Sequence, residues 1–275
     1  MRTEELIIEA GKTERHYWRD IWNYRELFYF LAWRDILVRY KQTVIGVAWS
    51  VLRPLLTMIV FTIVFGKIAK LPSEGDVPYT ILVFAALLPW QFFANAFAEA
   101  GNSLVSNATM VSKIYFPRLI IPTSTVIVSL VDMLISGLIL IGMMVWYGYF
   151  PDARVLFLPL FILVTFFAAM GTGLWIAALN VKYRDFRYII PFVVQFGLYI
   201  SPVGFSSSVI PEQWRLLYSV NPMVGVIDGF RWAILGGNSQ IYWPGFLLSL
   251  GLVAMIFITG VMFFRKTEKA FADVI

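Results

Sequence analysis

Apolar residues run through this chain in blocks too long for a soluble core. Crossing a hydrocarbon layer of about 30 Å takes about 20 apolar residues of helix, at about 1.5 Å each. Six blocks approach that length. Residues 44–65 are interrupted only by Arg53, and 79–97 contain Pro89, Gln91 and Asn95. Residues 121–146 carry one charge, Asp132, while 155–178 and 243–264 carry none. The fifth block, 188–205, is short and punctuated by Pro191, Gly197 and Pro202. The pattern predicts an all-α integral membrane protein with six transmembrane helices and both termini on one side.

The polar connections orient it. Lys and Arg gather before the first block (Arg2, Lys12, Arg15, Arg19, Arg25, Arg34, Arg39, Lys41), in the second connection (Lys113, Arg118), in the fourth (Lys182, Arg184, Arg187) and in the tail (Arg265, Lys266, Lys269). The opposite connections hold only Lys67, Lys70, Arg154, Arg215 and Arg231. Short loops rich in Lys and Arg stay in the cytoplasm, so both termini are expected there. The first 16 residues are too charged for a signal peptide.

Two stretches break the spanning pattern. Over 17–40, Trp18, Ile21, Trp22, Tyr29, Trp33, Ile36, Leu37 and Tyr40 recur at helical spacing with Arg and Asp between them. That predicts an amphipathic helix lying in the headgroup plane on the cytoplasmic side; a helix packed on a partner protein is the other reading. Residues 206–242 are too broken by Pro211, Pro222, Gly236 and Gly237 to span, yet too apolar for a free loop. They are expected to form two short helices dipping back into the outer leaflet, with a flat periplasmic cap as the alternative. A helix over 224–235 would set Asp228 and Arg231 three residues apart, where they can pair.

Composition narrows the chemistry. The 275 residues are 59% hydrophobic and 14% charged, against about half and about a quarter in soluble domains. Zero cysteines exclude a disulfide framework and a thiolate metal site, and one histidine, His16, leaves no histidine cluster for zinc. The net charge of +5 sits in the cytoplasmic connections, so it sets topology and does not indicate nucleic acid. Gly11-Lys12-Thr13 lacks the earlier glycine of a phosphate loop, since Leu6 stands there; the chain has no nucleotide site of its own. No converging carboxylates point to catalysis, so no catalytic residue and no metal ligand is assigned. Arg53 and Asp132 lie at similar depth in the first and third blocks, roughly 15 and 17 Å, where an ion pair would offset their desolvation; the alternative is that Arg53 snorkels to the surface.

Particular residues then resemble a known family. Arg39-Tyr40-Lys41-Gln42-Thr43-Val44-Ile45-Gly46-Val47-Ala48-Trp49 with Arg53-Pro54 is similar to the opening of the permease subunit of polysaccharide-exporting ABC transporters, in the type-2 exporter superfamily. Val111-Ser112-Lys113-Ile114-Tyr115-Phe116-Pro117-Arg118, Tyr183-Arg184-Asp185, and Asn221-Pro222 followed by Arg231 continue the likeness in order. Among members, the O-antigen permeases (Wzm type) look closest.

The resemblance implies a homodimeric channel in the bacterial inner membrane. Two copies of a separate ABC ATPase would bind ATP and Mg; the chain itself would carry no cofactor and would not be an enzyme. The cargo would be polysaccharide on undecaprenyl diphosphate, moved from the cytoplasmic to the periplasmic side. On this reading residues 1–43 form a cytoplasmic segment with the interface helix, 44–265 the six-span domain and 266–275 a cytoplasmic tail. Within the domain, 98–120 is the coupling segment and 206–242 the periplasmic gate. Arg39, Lys41, Trp33 and Tyr40 would meet the lipid diphosphate; the alternative for Arg39 and Lys41 is that they only anchor the helix. Asn107, Lys113, Phe116, Pro117 and Arg118 would dock the ATPase, and Asn221, Pro222, Asp228 and Arg231 would build the gate. Three alternatives stay open: capsular polysaccharide or teichoic acid export by the same mechanism, a proton- or sodium-coupled secondary transporter using Asp132, and a membrane-embedded glycosyl- or phosphotransferase.

Overall fold

The computed structural model describes residues 17–41, 44–183 and 185–271, and every regular element among them is helical. Gly11-Lys12-Thr13, His16, Gln42, Thr43 and Arg184 lie outside the described residues. Two helices, α1 (Tyr17–Asn23) and α2 (Arg25–Lys41), precede α3 (Val44–Phe61), which continues into a wider π-helical turn at Thr62–Ile68. There follow α4 (Tyr79–Ser106), α5 (Ala108–Lys113), α6 (Ile120–Tyr147), α7 (Leu158–Lys182) and α8 (Phe186–Ile200). The chain continues through α9 (Glu212–Tyr218) and α10 (Pro222–Leu235) to α11 (Trp243–Thr267).

Among the described residues, five stretches are long and apolar enough to cross a membrane: Val51–Ile68, Tyr79–Ser106, Ile120–Tyr147, Ala153–Lys182 and Trp243–Thr267. The remaining apolar block yields only the 15 residues of α8, about 22 Å. Its end has a local cause. Ser201 precedes Pro202, whose ring disfavours helical backbone before it, and Ser201 is extended with ψ 152°.

α4 forms the centre. Every side chain from Ile81 to Ala86 is fully buried, and α3, α6, α7, α8 and α10 pack around it. By contrast α6 leaves Leu134, Leu138, Ile141 and Val145 exposed at helical spacing, an apolar outer face that water would not tolerate. α7 and α11 cross at Gly171 and Gly260. A Cβ at Gly260 would stand 2.5 Å from the Gly171 carbonyl oxygen, so only the smallest residue permits this approach.

The N-terminal helices differ from the expected single stripe. Tyr17, Ile21, Tyr24, Leu27, Phe28 and Leu31 form the face packed on the core, whereas Trp18, Trp22, Tyr29 and Trp33 remain exposed. α2 is also inclined and does not keep one level: Arg34 reaches Asn107 at the end of α4, while Arg39 reaches Glu99, about 12 Å further up that helix.

Connections gather at two opposite ends. One holds α1, α5, the 114–119 segment and Glu268. At the other, Tyr149 donates its hydroxyl to the Leu235 carbonyl (2.6 Å), Tyr218 donates to the Ile200 carbonyl (2.7 Å), and Ser206 donates to Glu74.

Candidate functional site

The last turn of α2 delivers Arg39 and Tyr40 against α6. Arg39 donates through Nη1 to Asp132 Oδ2, and Tyr40 donates its hydroxyl to Oδ1 of the same carboxylate. The other Arg39 nitrogen, Nη2, meets Glu99 Oε1 at 2.7 Å. One cation thus answers two carboxylates from α4 and α6. Burial, then the bond to Asp132, pushes the Tyr40 hydroxyl above its ordinary range, so it stays a donor. The pair expected between Arg53 and Asp132 does not form: Arg53 is exposed on α3, and α2 brings Arg39 to the acid first. Of the four residues expected at the lipid diphosphate, Arg39 and Tyr40 come together. Lys41 is exposed and has no ion pair among the described residues, and Trp33 is half exposed, stacked on Tyr29 with centroids 6.3 Å apart.

At the same end, Asn107 joins α4 to α5. Its Nδ2 donates to the Ser103 carbonyl (2.9 Å), and its Oδ1 accepts from Arg34 (3.4 Å). Beyond it the expected docking residues divide. Lys113, Ile114 and Tyr115 are exposed, while Phe116 and Pro117 are buried and so are anchors rather than contact surface. Arg118 turns inward as well: its backbone N–H donates to Glu268 Oε1 (2.6 Å) and its guanidinium to the Glu268 carbonyl (2.8 Å). Tyr17 donates its hydroxyl to Glu268 Oε2 (2.8 Å), and the Arg265 guanidinium lies 4.5 Å from the Tyr17 ring centroid. Glu268 therefore ties α1, the 114–118 segment and the end of α11 together. Nothing in its sequence neighbourhood distinguishes it from an ordinary tail acid.

The far end is built on Arg231, which is fully buried. Its guanidinium donates to the carbonyls of Phe205 (2.8 Å), Val203 (3.2 Å) and Leu82 (3.4 Å). Among the described residues it makes no ion pair with Asp228 within 4 Å, contrary to expectation; the irregular backbone at 203–205 uses the guanidinium instead. Asp228 is buried, and burial is the main cause that pushes its carboxyl up to about 6, opposed by the nearby Ser207 hydroxyl. Asn221 caps α10, accepting from the Met223 N–H (3.0 Å) and donating to Ser201 Oγ (2.9 Å), with Pro222 at the first helical position where no amide partner is needed. Gly236 closes α10 at φ +61°, with the carboxylate of Asp152 2.8 Å from where a Cβ would stand.

Among the described residues no three His, Asp or Glu are grouped to hold a metal. Both clusters hold helices in place, and neither assembles a nucleophile with a base. The family model described as "ABC-2 type transporter" matches residues 26–235. The chain belongs to the ABC-2 type transporter family. Its apolar helices are those of a membrane permease, and the match covers both the α2–α6 network and the Arg231 cluster. The chain is 26% identical to the O-antigen export system permease protein RfbA of Klebsiella pneumoniae over 252 residues, 91% of this chain and 95% of the relative. It is 25% identical to the RfbA protein of Myxococcus xanthus over 216 residues, 78% of this chain and 82% of the relative. It is 23% identical to the polysialic acid transport protein KpsM of Escherichia coli over 249 residues, 86% of this chain and 92% of the relative.

Proposed function

We propose that this chain is the channel-forming half of an ATP-driven exporter in the bacterial inner membrane. It moves undecaprenyl-diphosphate-linked polysaccharide of the O-antigen kind from the cytoplasmic to the periplasmic side. The observation that carries this reading is the likeness, along nearly the whole chain, to permeases named for O-antigen export. The likeness to KpsM favours a second reading, capsular glycan carried by the same mechanism. Two copies form the conduit with six spans each, α8 being the short one, and both termini face the cytoplasm. Two copies of a separate ABC ATPase supply ATP, Mg and the driving force; no cofactor resides in this chain.

Roles follow from the geometry. Lys113, Ile114 and Tyr115 offer the cytoplasmic surface to the ATPase, with Asn107, Phe116, Pro117 and Arg118 fixing its frame. Lys41 is the available cation for a lipid diphosphate. Arg39, already neutralised by Glu99 and Asp132, responds to that anion only by leaving one of them, which links cargo arrival to the position of α2. A proton-coupled transporter using Asp132 is less well supported, because that carboxylate is spent on Arg39 and Tyr40. Residues 206–242 form the periplasmic gate. Its two short helices, α9 and α10, are held by Asn221 and Arg231. The test is purification together with a candidate ABC ATPase from the same host. Lipid-linked glycan from the same host should stimulate hydrolysis several-fold, and a rate indifferent to every lipid-linked glycan would refute the assignment.

A further inference from the structure

A cavity of about 430 Å³ opens at the end of the bundle where the 72–75 loop meets α9, α10 and residues 239–242. That volume lies within the range of small-ligand pockets, about 300–1,000 Å³. About half of its lining is polar, mixed with Val224, Ile241 and tyrosine rings. Ser207 and Asp228 face it from one side, Glu74 from another, and Gln240, Tyr218 and Tyr242 complete it. The Gln240 amide and the Tyr242 hydroxyl have no hydrogen-bond partner among the described residues, so donors and acceptors are both on offer.

Each ligand class can be weighed against these groups. An anion needs an unspent cation, but Arg215 gives its guanidinium to the carbonyls of Ile210 and Ser208, both at 3.0 Å, and Arg231 gives its own to three carbonyls. A hard metal ion needs several convergent oxygens of high charge. Only Glu74 and Asp228 are present, and one Glu74 oxygen already accepts from Ser206. An apolar ligand would strand the serines and the amide without partners. A neutral polyhydroxyl compound suits the walls: its hydroxyls both donate to carboxylates and accept from amide and phenol, and its C–H faces rest on tyrosine rings.

We infer that this cavity binds one or two units of a sugar chain. The inference rests on the exporter reading, which makes the cavity a periplasmic subsite for glycan leaving the conduit. A unit held there opposes backward slippage between strokes of the ATPase.

The test uses the permease–ATPase complex in lipid nanodiscs, titrated with short oligosaccharides released by mild acid from the host's own surface polysaccharide. Binding is read by saturation-transfer NMR. Saturable binding is expected. Asp228→Asn and Gln240→Trp, the latter filling the mouth from an exposed position, should each weaken it about tenfold or more. Glu212→Gln, on the exposed face of α9, should bind as the unaltered complex does. No saturable binding, or unchanged affinity in Gln240→Trp, overturns the inference. Glycan-stimulated ATP hydrolysis on the same sample reads the exporter assignment separately. Stimulation without oligosaccharide binding sinks the subsite alone, whereas absence of both sinks the subsite and the exporter together.

Discussion

Arg39 shows how the setting of one side chain changes its meaning. At the C-terminal turn of α2 it complements the helix dipole, and it also bridges α4 and α6 through Glu99 and Asp132. Its side chain is 30% exposed and that of Asp132 13%, so the pair is shielded but not dry, and its worth sits between surface and buried values. A double-mutant cycle with Arg39→Gln and Asp132→Asn should give a coupling of about 1–2 kcal/mol in the thermal stability of the purified chain. Additive losses would mean the two side chains act independently. Asp228 makes a prediction of the opposite electrostatic kind. Its carboxyl is raised to about 6 from an ordinary 3.8 by burial and Glu74, opposed by Ser207, Arg231 and Arg215. A raised carboxyl favours the protonated folded state. Its contribution to stability is therefore fully present below the unfolded value and is lost as pH climbs through about 6. The melting temperature should rise as pH is lowered from 8 to 5, and Asp228→Asn should flatten that slope and raise stability at pH 8 by about 2–3 kcal/mol. A variant that keeps the wild-type pH profile would assign the titration to another group.

Among elements, the segment proposed to dock the ATPase yields the sharpest test. α5 is only six residues long, and of the three residues that follow it Ile114 and Tyr115 face outward and Phe116 inward. Lys113→Ala with Tyr115→Ala should cut co-purification of the ATPase or its glycan-stimulated rate at least fivefold while leaving the permease folded. Phe116→Ala should lower stability first, by about 3–5 kcal/mol, as a buried aromatic truncation does. If the exposed pair has no effect on either readout, the ATPase docks elsewhere. The contrast marks what the sequence made legible. Long helices follow directly from apolar runs, and the cap at Asn221-Pro222 follows from its residue types. The inward turn of Phe116 has no local signal, because an extended stretch gives no register until both flanking helices are placed. Arg231 read as a partner for Asp228 because both lie three apart on one helix. Only the fold reveals that the carbonyls of residues 203–205, left unpaired by the break at Ser201-Pro202, compete for the same guanidinium. Arg53 and Asp132 misled in the same way, since matched depth on two helices says nothing of their rotation, and α2 was inclined enough to supply Arg39 instead.

At the scale of the whole molecule, the two ends do different work around one buried centre. α4 touches both, carrying Glu99 and Asn107 toward one end and the carbonyl of Leu82 under Arg231 at the other. α4 therefore links the two ends directly through these contacts. On the exporter reading, the driving force comes from a separate ATPase. The most direct measurement reconstitutes the chain into liposomes, with and without its candidate ABC ATPase, and follows ATP hydrolysis and transfer of lipid-linked glycan between leaflets. Both should appear only when the two proteins are present together. ATP hydrolysis, or glycan movement at an undiminished rate, by the chain alone would contradict the account.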